Sequence, residues 1–556
     1  MRQLSRFQIW LPLLLAFTLI AGLLIGMRLQ GESPVALRSG DSVVSGRSYG
    51  AGRVDEVLRY IDAKYVDAAP LDKLTEKAIR SLLDDLDPHS NYISVRDIAA
   101  IQEQLDGEFD GIGIEFMLLD DTITVVAPLS GGPSETAGIL AGDKIVRIND
   151  SIVAGPQVNT AEVVGMLRGK KGTKVNVKVQ RSGRKELLPF TIERDAIPVF
   201  SLDAAYMLDE QTGYIKINRF SAGTGQEFVE ALEKLMNQGG AKNIVLDLRH
   251  NPGGYLQQAV RMLSQLFPQK GELLVYTEGR GTKRAEYTTS GRAFFDIDKI
   301  AILIDEGSAS ASEIVAGAVQ DHDRGLIIGR RSFGKGLVQE QFPLSDGAGL
   351  RLTVARYYTP SGRSIQKPYD DYDADVDERY YSGELTGDAA AAGTVDSTQV
   401  YYTDRGHPVY GGGGIQPDVY VPIDSVQLDT NLIRLRGEVP GFAIRYLQTG
   451  SQLTPERYDL VGFRDRFVIS DAILSQFYAY AREHGSTISG LLRPAARDQL
   501  ARFIKARLAK QLYGDDAMYE LLNANDPSVQ RAKQLLAQPD PLAARVNEKE
   551  DARDNN

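Results

Sequence analysis

The chain of 556 residues contains no cysteine. That absence excludes disulfides, a thiol nucleophile and a lipid-modified N-terminal cysteine, and it suits an oxidising compartment. Histidine is nearly as scarce, with His89, His250, His322, His407 and His484 as the full set. They form no His-Glu-x-x-His pair, and no phosphate-binding glycine loop of the Walker type occurs, so no metal, ATP or other cofactor is implied. Positive charge is in deficit. Lys and Arg number 63 against 74 Asp and Glu, a net charge of −11. No basic stripe overrides that balance, which argues against a nucleic-acid partner. Long apolar runs are missing too, with one exception, the 19 uncharged residues from Ile9 to Met27.

That run is long enough to cross the hydrocarbon core as a helix. Arg2 and Arg6 precede it and Arg28 follows. It is longer than a secretory h-region, and no small-residue cleavage site stands before Arg28. The expectation is an uncleaved signal anchor with Arg2 and Arg6 on the cytoplasmic side, and a cleaved signal peptide is the alternative. The chain would then be a single-pass protein of the cytoplasmic (inner) membrane. Everything after residue 30 would lie in the periplasm or extracytoplasmic space.

With 43% apolar and 25% charged residues the remainder is globular, and it is too long for one core. The pattern divides it as follows. Residues 1–29 are the signal anchor, and 30–52, rich in Gly and Ser, are a flexible linker. Residues 53–94 are helical, with Val54, Val57, Leu58 and Ile61 at i, i+3, i+4, i+7. Residues 95–195 are β-rich. Residues 196–425 alternate strands and helices. Residues 426–539 are a helical, charged extension, and 540–556 are expected to be disordered. The fold class is multidomain α/β with a β-rich module, an N-terminal transmembrane helix and a helical C-terminal extension.

Two segments in the α/β region carry chemistry. Asp305-Glu-Gly-Ser-Ala-Ser-Ala-Ser-Glu-Ile314 follows the apolar run Ile300 to Ile304 and precedes a helical stretch, Ile314 to Gln320. This reads as strand, small-residue turn, helix, a geometry that exposes a side chain and aims amides at a developing negative charge. Taken alone, Ser308, Ser310 and Ser312 are equal candidates for a nucleophile, and all three also suit turns and N-caps. The second segment is Gly329-Arg-Arg-Ser-Phe-Gly-Lys-Gly-Leu-Val-Gln339. Lys335 is the only lysine between Lys299 and Lys367. It sits among glycines and apolar residues, where a neutral amine is cheaper than an ammonium. His250, in Asp247-Leu-Arg-His-Asn-Pro-Gly-Gly254, is the alternative base of a Ser-His-Asp arrangement.

Ser-Ala-Ser-Ala-Ser-Glu, with Phe-Gly-Lys-Gly-Leu-Val-Gln 25 residues on, resembles the carboxyl-terminal processing peptidases (tail-specific proteases). The resemblance runs over roughly residues 55–425. It implies that Ser310 is the nucleophile, Lys335 the base and Gln339 its support. It also implies an oxyanion hole from Gly253 or Gly254 with the amide of Ala311. Leu83-Asp-Asp-Leu-Asp-Pro-His-Ser-Asn-Tyr-Ile93 is similar to the family's N-terminal signature, in which His89 is expected to cap or pack. Tyr357-Tyr-Thr-Pro-Ser-Gly-Arg-Ser-Ile-Gln366 and Tyr410-Gly-Gly-Gly-Gly-Ile-Gln-Pro-Asp418 are expected to shape the sheet and cleft. Between them, Tyr369 to Gln399 reads as a surface insertion. Its Asp371, Asp373, Asp375 and Asp377 lack the Gly and Glu of an EF-hand loop, since Val376 and Ser382 stand there.

The 95–195 module, with Phe109-Asp-Gly-Ile-Gly-Ile-Glu-Phe116 and Ala137-Gly-Ile-Leu-Ala-Gly-Asp-Lys-Ile145, is similar to a PDZ domain. Such a domain captures a C-terminal peptide as an added strand. Amides of Gly111, Ile112, Gly113 and Ile114 would hold the carboxylate, and Val163, Val164 and Leu167 would line the groove. The expected activity is peptide-bond hydrolysis of proteins with free C-terminal tails, without cofactor. A non-cleaving scaffold for envelope proteins and a hydrolase of non-peptide esters are the competing readings. Homo-oligomer, adaptor protein and natural substrate stay open.

Overall fold

The computed structural model describes residues 51–129, 131–369, 375–387, 399–449, 453–488, 490 and 492–543. The expected signal anchor and the linker up to residue 50 lie outside the described residues. So do the expected tail from 544 and, in the acidic insertion, 370–374 and 388–398. Among the described residues no helix is long and apolar enough to cross a membrane. The chain divides at Thr75. The first unit contains the helix Ala51–Lys64 and the start of Leu71–Asp84. The second contains everything described below.

The centre of this unit is a six-stranded sheet in the order Leu202–Met207, Thr212–Ile217, Asn243–Asp247, Ile300–Ile304, Leu326–Gly329, Val419–Tyr420. The first pair is antiparallel and the rest are parallel. A parallel sheet needs both faces covered, so its strands read as continuous apolar runs. Alternate side chains decide which cover they meet. Ile244, Leu246, Ile300, Ile302 and Ile304 pack on Phe228, Met262, Leu263, Ile314 and Val315 of three helices, Thr224–Leu232, Leu256–Leu266 and Ala311–Asp321. Val245, Ala301 and Leu303 point to the other face. They meet Val529, Ala532, Leu535 and Leu536 of the helix Pro527–Leu536. Each large apolar side chain buried there contributes about 1.5–3 kcal/mol. The C-terminal extension is therefore one wall of the α/β core.

The PDZ-like module is an antiparallel sheet in the order Ile114–Leu119, Thr122–Pro128, Lys144–Ile148, Lys174–Gln180, Leu188–Glu193, with the helix Thr160–Leu167. In Lys174–Gln180 the residues Val175, Val177 and Val179 are buried while Lys174, Asn176 and Lys178 are exposed, so the period-two pattern follows the fold. A two-stranded ribbon, Glu108–Gly111 with Asp195–Pro198, connects this module to the α/β core. The helices Thr430–Arg436, Val439–Gln448, Leu460–Arg466, Asp471–Glu483 and Pro494–Tyr513 share a core of Leu435, Phe442, Phe463, Phe477, Leu500 and Ile504. Leu119 of the PDZ-like module inserts into it, and Arg507 lies 3.3 Å from Glu115. The extension thus touches both the module and the α/β core.

Candidate active site

Three neighbouring parallel strands release their loops at the same sheet edge, the carboxyl end where α/β folds place ligands. Asn243–Asp247 leads into the turn 248–254. Ile300–Ile304 leads into 305–310. Leu326–Gly329 leads into 330–336. Their register, with Asp247 opposite Leu303 and Ile304 opposite Gly329, brings the two glycines, the serines and the lysine to one place.

The three serines are not equivalent in the fold. Ser308 is buried and its hydroxyl donates to the Leu248 carbonyl at 2.9 Å. Ser312 is buried and donates to the Asn251 carbonyl at 2.9 Å. The Ser310 hydroxyl donates to no group among the described residues, and the residue is partly exposed. Ser310 also has φ +53°, a costly backbone for a residue with a side chain. It stands at the N-terminus of Ala311–Asp321, and its amide donates to Glu313 Oε2 at 2.8 Å.

Gly253 and Gly254 have φ of +97° and +143°, conformations that favour glycine. A Cβ on Gly253 would lie 2.8 Å from both Ser310 Cβ and the Ala311 nitrogen, and one on Gly254 would lie 2.1 Å from the Phe220 carbonyl oxygen. The turn is therefore pressed against the serine. The Gly253 amide donates to Asn251 Oδ1 at 2.9 Å. The amides of Gly254 and Ala311 donate to nothing among the described residues. Of the two glycines left open by the sequence, Gly254 has the available donor.

Lys335 Nζ donates to Gln339 Oε1 at 2.9 Å, and Gln339 Nε2 donates to the His89 carbonyl. No hydrogen bond joins Lys335 or His250 to the Ser310 hydroxyl among the described residues; such bonds often tighten only with substrate bound. His250 is held differently. Its amide donates to Asp305 Oδ1 at 2.8 Å, its Nδ1 lies 2.9 Å from Asp305 Oδ2, and its side chain is 78% exposed. His322, at the far end of the helix, contacts Asp404 and the Leu273 carbonyl.

Sequence reasoning missed the group that joins serine to lysine. Glu313, fully buried, accepts the amides of Ser310 at 2.8 Å, Gly334 at 2.7 Å and Lys335 at 2.9 Å, and the Ser332 hydroxyl at 2.5 Å. Burial pushes its carboxyl up to about 7, against the pull of these four donors. The signal was present, because Ser-x-x-Glu is a helix capping pattern. The Tyr357 hydroxyl makes a second bridge, 3.1 Å from the Ser310 carbonyl oxygen and 2.6 Å from that of Lys335. With one proton it donates to the nearer.

Burial holds the Lys335 amine below the usual lysine value. Arg351 pushes it the same way, and Glu313 and Asp87 oppose them. His89 falls to about 4, first through burial and then through the charge of Lys335. It is neutral at neutral pH, and its role here is carried by its backbone carbonyl. The two later strings reach the same loop: Gln366 Oε1 accepts the Gly336 amide at 2.9 Å, and Gly414 packs against Ser332 so closely that a Cβ would lie 2.8 Å from its carbonyl oxygen.

In the PDZ-like module, Gly111 pairs with Asp195 in the ribbon, Gly113 has φ +68°, and Ile114 opens an edge strand with one neighbour. The amides of Ile112 and Gly113 donate to nothing among the described residues. Val163 and Leu167 are buried in the module's core with Ile112, and Val164 alone of the three helix residues keeps solvent access.

Comparison with known proteins gives the family. Residues 211–376 match the model of Peptidase family S41, residues 111–192 that of the PDZ domain, and residues 430–514 that of a family of unknown function. A carboxy-terminal-processing protease of Bartonella bacilliformis is 36% identical over 398 residues, covering 70% of this chain and 88% of that protein. Carboxy-terminal processing protease CtpB of Bacillus subtilis is 35% identical over 327 residues, covering 58% of this chain and 67% of the relative. A solved photosystem II D1 C-terminal processing protease is 30% identical, covers 56% of this chain and 89% of its own, and superposes with a TM-score of 0.32. With 88% of the Bartonella relative covered at 36% identity, and S41 and PDZ models matched in order along it, the chain belongs to the carboxy-terminal processing peptidases, serine peptidases that carry a PDZ domain.

Proposed function

We propose that the chain is a membrane-anchored, extracytoplasmic endopeptidase in which Ser310 and Lys335 form the catalytic pair and the PDZ domain selects substrates by their C-terminal tails. The observation that carries this reading is the joining of the Ser310 and Lys335 amides on one buried carboxylate, Glu313, beside two unengaged amides.

In the proposed reaction the neutral Lys335 amine takes the proton of Ser310 as Oγ bonds to the scissile carbonyl carbon. The carbonyl π pair moves to oxygen, and the amides of Gly254 and Ala311 stabilise that charge. Collapse breaks the C–N bond, and the leaving amine receives the proton from Lys335. Water then adds with Lys335 again as base, releasing the new carboxyl terminus and restoring Ser310. Gln339 orients the amine without adding charge. The tail would pair with the free edge of Ile114–Leu119, its carboxylate on the amides of Ile112 and Gly113. Residues 9–27 would hold the chain in the inner membrane.

The test is cleavage of an unfolded protein with an apolar C-terminal tail, free or amidated. Cleavage is expected to vanish in Ser310→Ala and to weaken severalfold when the tail is amidated. Full cleavage by Ser310→Ala would remove the serine from the mechanism, and indifference to amidation would remove the tail.

A pH profile tests the base separately. The rate is expected to rise with pH through the depressed Lys335 value, because only the neutral amine accepts a proton. Arg351 helps depress that value. Arg351→Met therefore raises it and moves the rise to higher pH, lowering the rate at neutrality. An unmoved profile would separate Lys335 from proton transfer.

A further inference from the structure

We infer that Asp526, in the C-terminal extension, is a positioning residue for the oxyanion turn, which makes the extension part of the catalytic apparatus. The inference rests on the proposed role of the Gly254 amide.

The turn 248–254 begins at a cluster of four charges. Asp247, at the end of its strand, accepts the Arg249 amide at 2.9 Å and the guanidinium through Nε at 3.0 Å and Nη2 at 2.6 Å. It also takes the Tyr214 hydroxyl at 2.7 Å and lies 3.3 Å from Lys216 Nζ. Lys216 donates in addition to the Arg249 carbonyl. The remaining arm of the guanidinium, Nη1, donates to Asp526 Oδ2 at 2.8 Å. The Arg249 and Asp526 side chains are 17% and 20% exposed. Two cations thus face two anions, and the second anion lies 277 residues from its partner. Without Asp526 the cluster would have an uncompensated cation in a mostly dry place, and one arm of Arg249 would be unheld.

From Arg249 the turn passes through His250, at φ +58°, a conformation that a residue with a side chain adopts only when its surroundings impose it. Asn251 then ties the turn to the serine segment, accepting the Ala309 amide at 3.0 Å and the Ser312 hydroxyl at 2.9 Å on its carbonyl. Gly254 follows. Fixing Arg249 at the entrance therefore fixes the path that delivers the Gly254 amide beside Ser310. The helices around Asp526 have independent moorings. Tyr519 donates to Asp203 at 2.8 Å, Asn523 to the Tyr206 hydroxyl at 2.8 Å, and Asp516 accepts the Ala205 amide at 2.8 Å. The loss of Asp526 alone leaves the extension docked.

Asp526 also caps Pro527–Leu536 through Oδ1, which accepts the Val529 amide at 3.0 Å. Asp526→Ser keeps a good cap and is too short to reach Arg249. Asp526→Asn keeps the cap through its one oxygen and turns its NH₂ toward Arg249, so it loses both the charge and the acceptor. The experiment measures kcat and KM of the full chain on the unfolded substrate, affinity for a peptide aldehyde, binding of a free tail peptide, and thermal unfolding. The aldehyde forms a tetrahedral adduct on serine and reports the oxyanion site. Asp526→Ser is expected to lower kcat and aldehyde affinity together by about tenfold, as a small misplacement of a donor does. KM and tail binding should stay close to the parent, the unfolding midpoint should fall but stay well above the assay temperature, and Asp526→Asn should do no better than Asp526→Ser. Unchanged or raised kcat in Asp526→Ser overturns the inference. So does a loss that tracks a collapsed midpoint, which makes Asp526 a structural clamp only. Ser310→Ala, assayed alongside, reports on the catalytic reading itself: if it still cleaves, that reading fails whatever Asp526 does.

Discussion

Lys335→Met is expected to lower kcat about a thousandfold or more at every pH, with tail-peptide binding unchanged. The methionine fills nearly the same partly buried space, so the change removes the amine without opening a cavity. It should not cost stability at neutral pH. The folded protein holds Lys335 below its ordinary value mainly by burial, so the charged amine opposes folding. The sign follows from linkage. Because the unfolded chain binds that proton more tightly, the penalty is full below the folded value and fades as pH rises through it toward the ordinary lysine value. Lys335→Arg should be as inactive as Lys335→Met, because a guanidinium cannot give up its proton in this range. Steady-state kinetics with calorimetry checks both. Retained cleavage in Lys335→Met would shift the base to another group, with His250→Ala as the next comparison.

Glu313→Gln is the second change with a large expected effect. Its oxygens serve two pairs of donors, Ser332 with Gly334 and Ser310 with Lys335. An amide has one oxygen, so its NH₂ must face one pair and orphan at least one buried N–H. Each orphan costs about 1–3 kcal/mol. The serine and lysine loops also lose their common anchor, and kcat should fall about a hundredfold, the scale of a displaced catalytic group. A pH signature distinguishes this from a plain packing loss. The Glu313 carboxyl is raised to about 7 in the fold, against about 4.3 unfolded. Its contribution to stability is full below the unfolded value and is lost as pH rises through 7. The stability difference between parent and Glu313→Gln should therefore shrink from pH 5 to pH 8. A difference that stays flat across that range would mean Glu313 does not titrate there.

The local chemistry was legible because it is written at short range. Val175, Val177 and Val179 alternate with polar residues, and that alternation is a strand with one buried face whatever the rest of the chain does. The glycines at 253 and 254 announce a backbone that residues with side chains avoid. Ser310, Lys335 and Gln339 lie within 30 positions of one another and resemble a family string. Choosing Ser310 by physics needed the fold. Ser308 and Ser312 have the same side chain, and only the carbonyls of Leu248 and Asn251, on a neighbouring strand's loop, show that their hydroxyls are engaged.

The sequence by itself determined the residue types, the strand and helix periods and the two modules they build, because each depends on neighbours a few positions apart. Tertiary structure alone decided which groups complete the site. Glu313 reaches Lys335 across 22 residues, the His89 carbonyl reaches Gln339 across 250, and Asp526 reaches Arg249 across 277. The helix Pro527–Leu536 has an ordinary amphipathic pattern, which says that it buries one face but not against what. Its partner is the second face of the parallel sheet, and that face exists only once strands distant in sequence have paired.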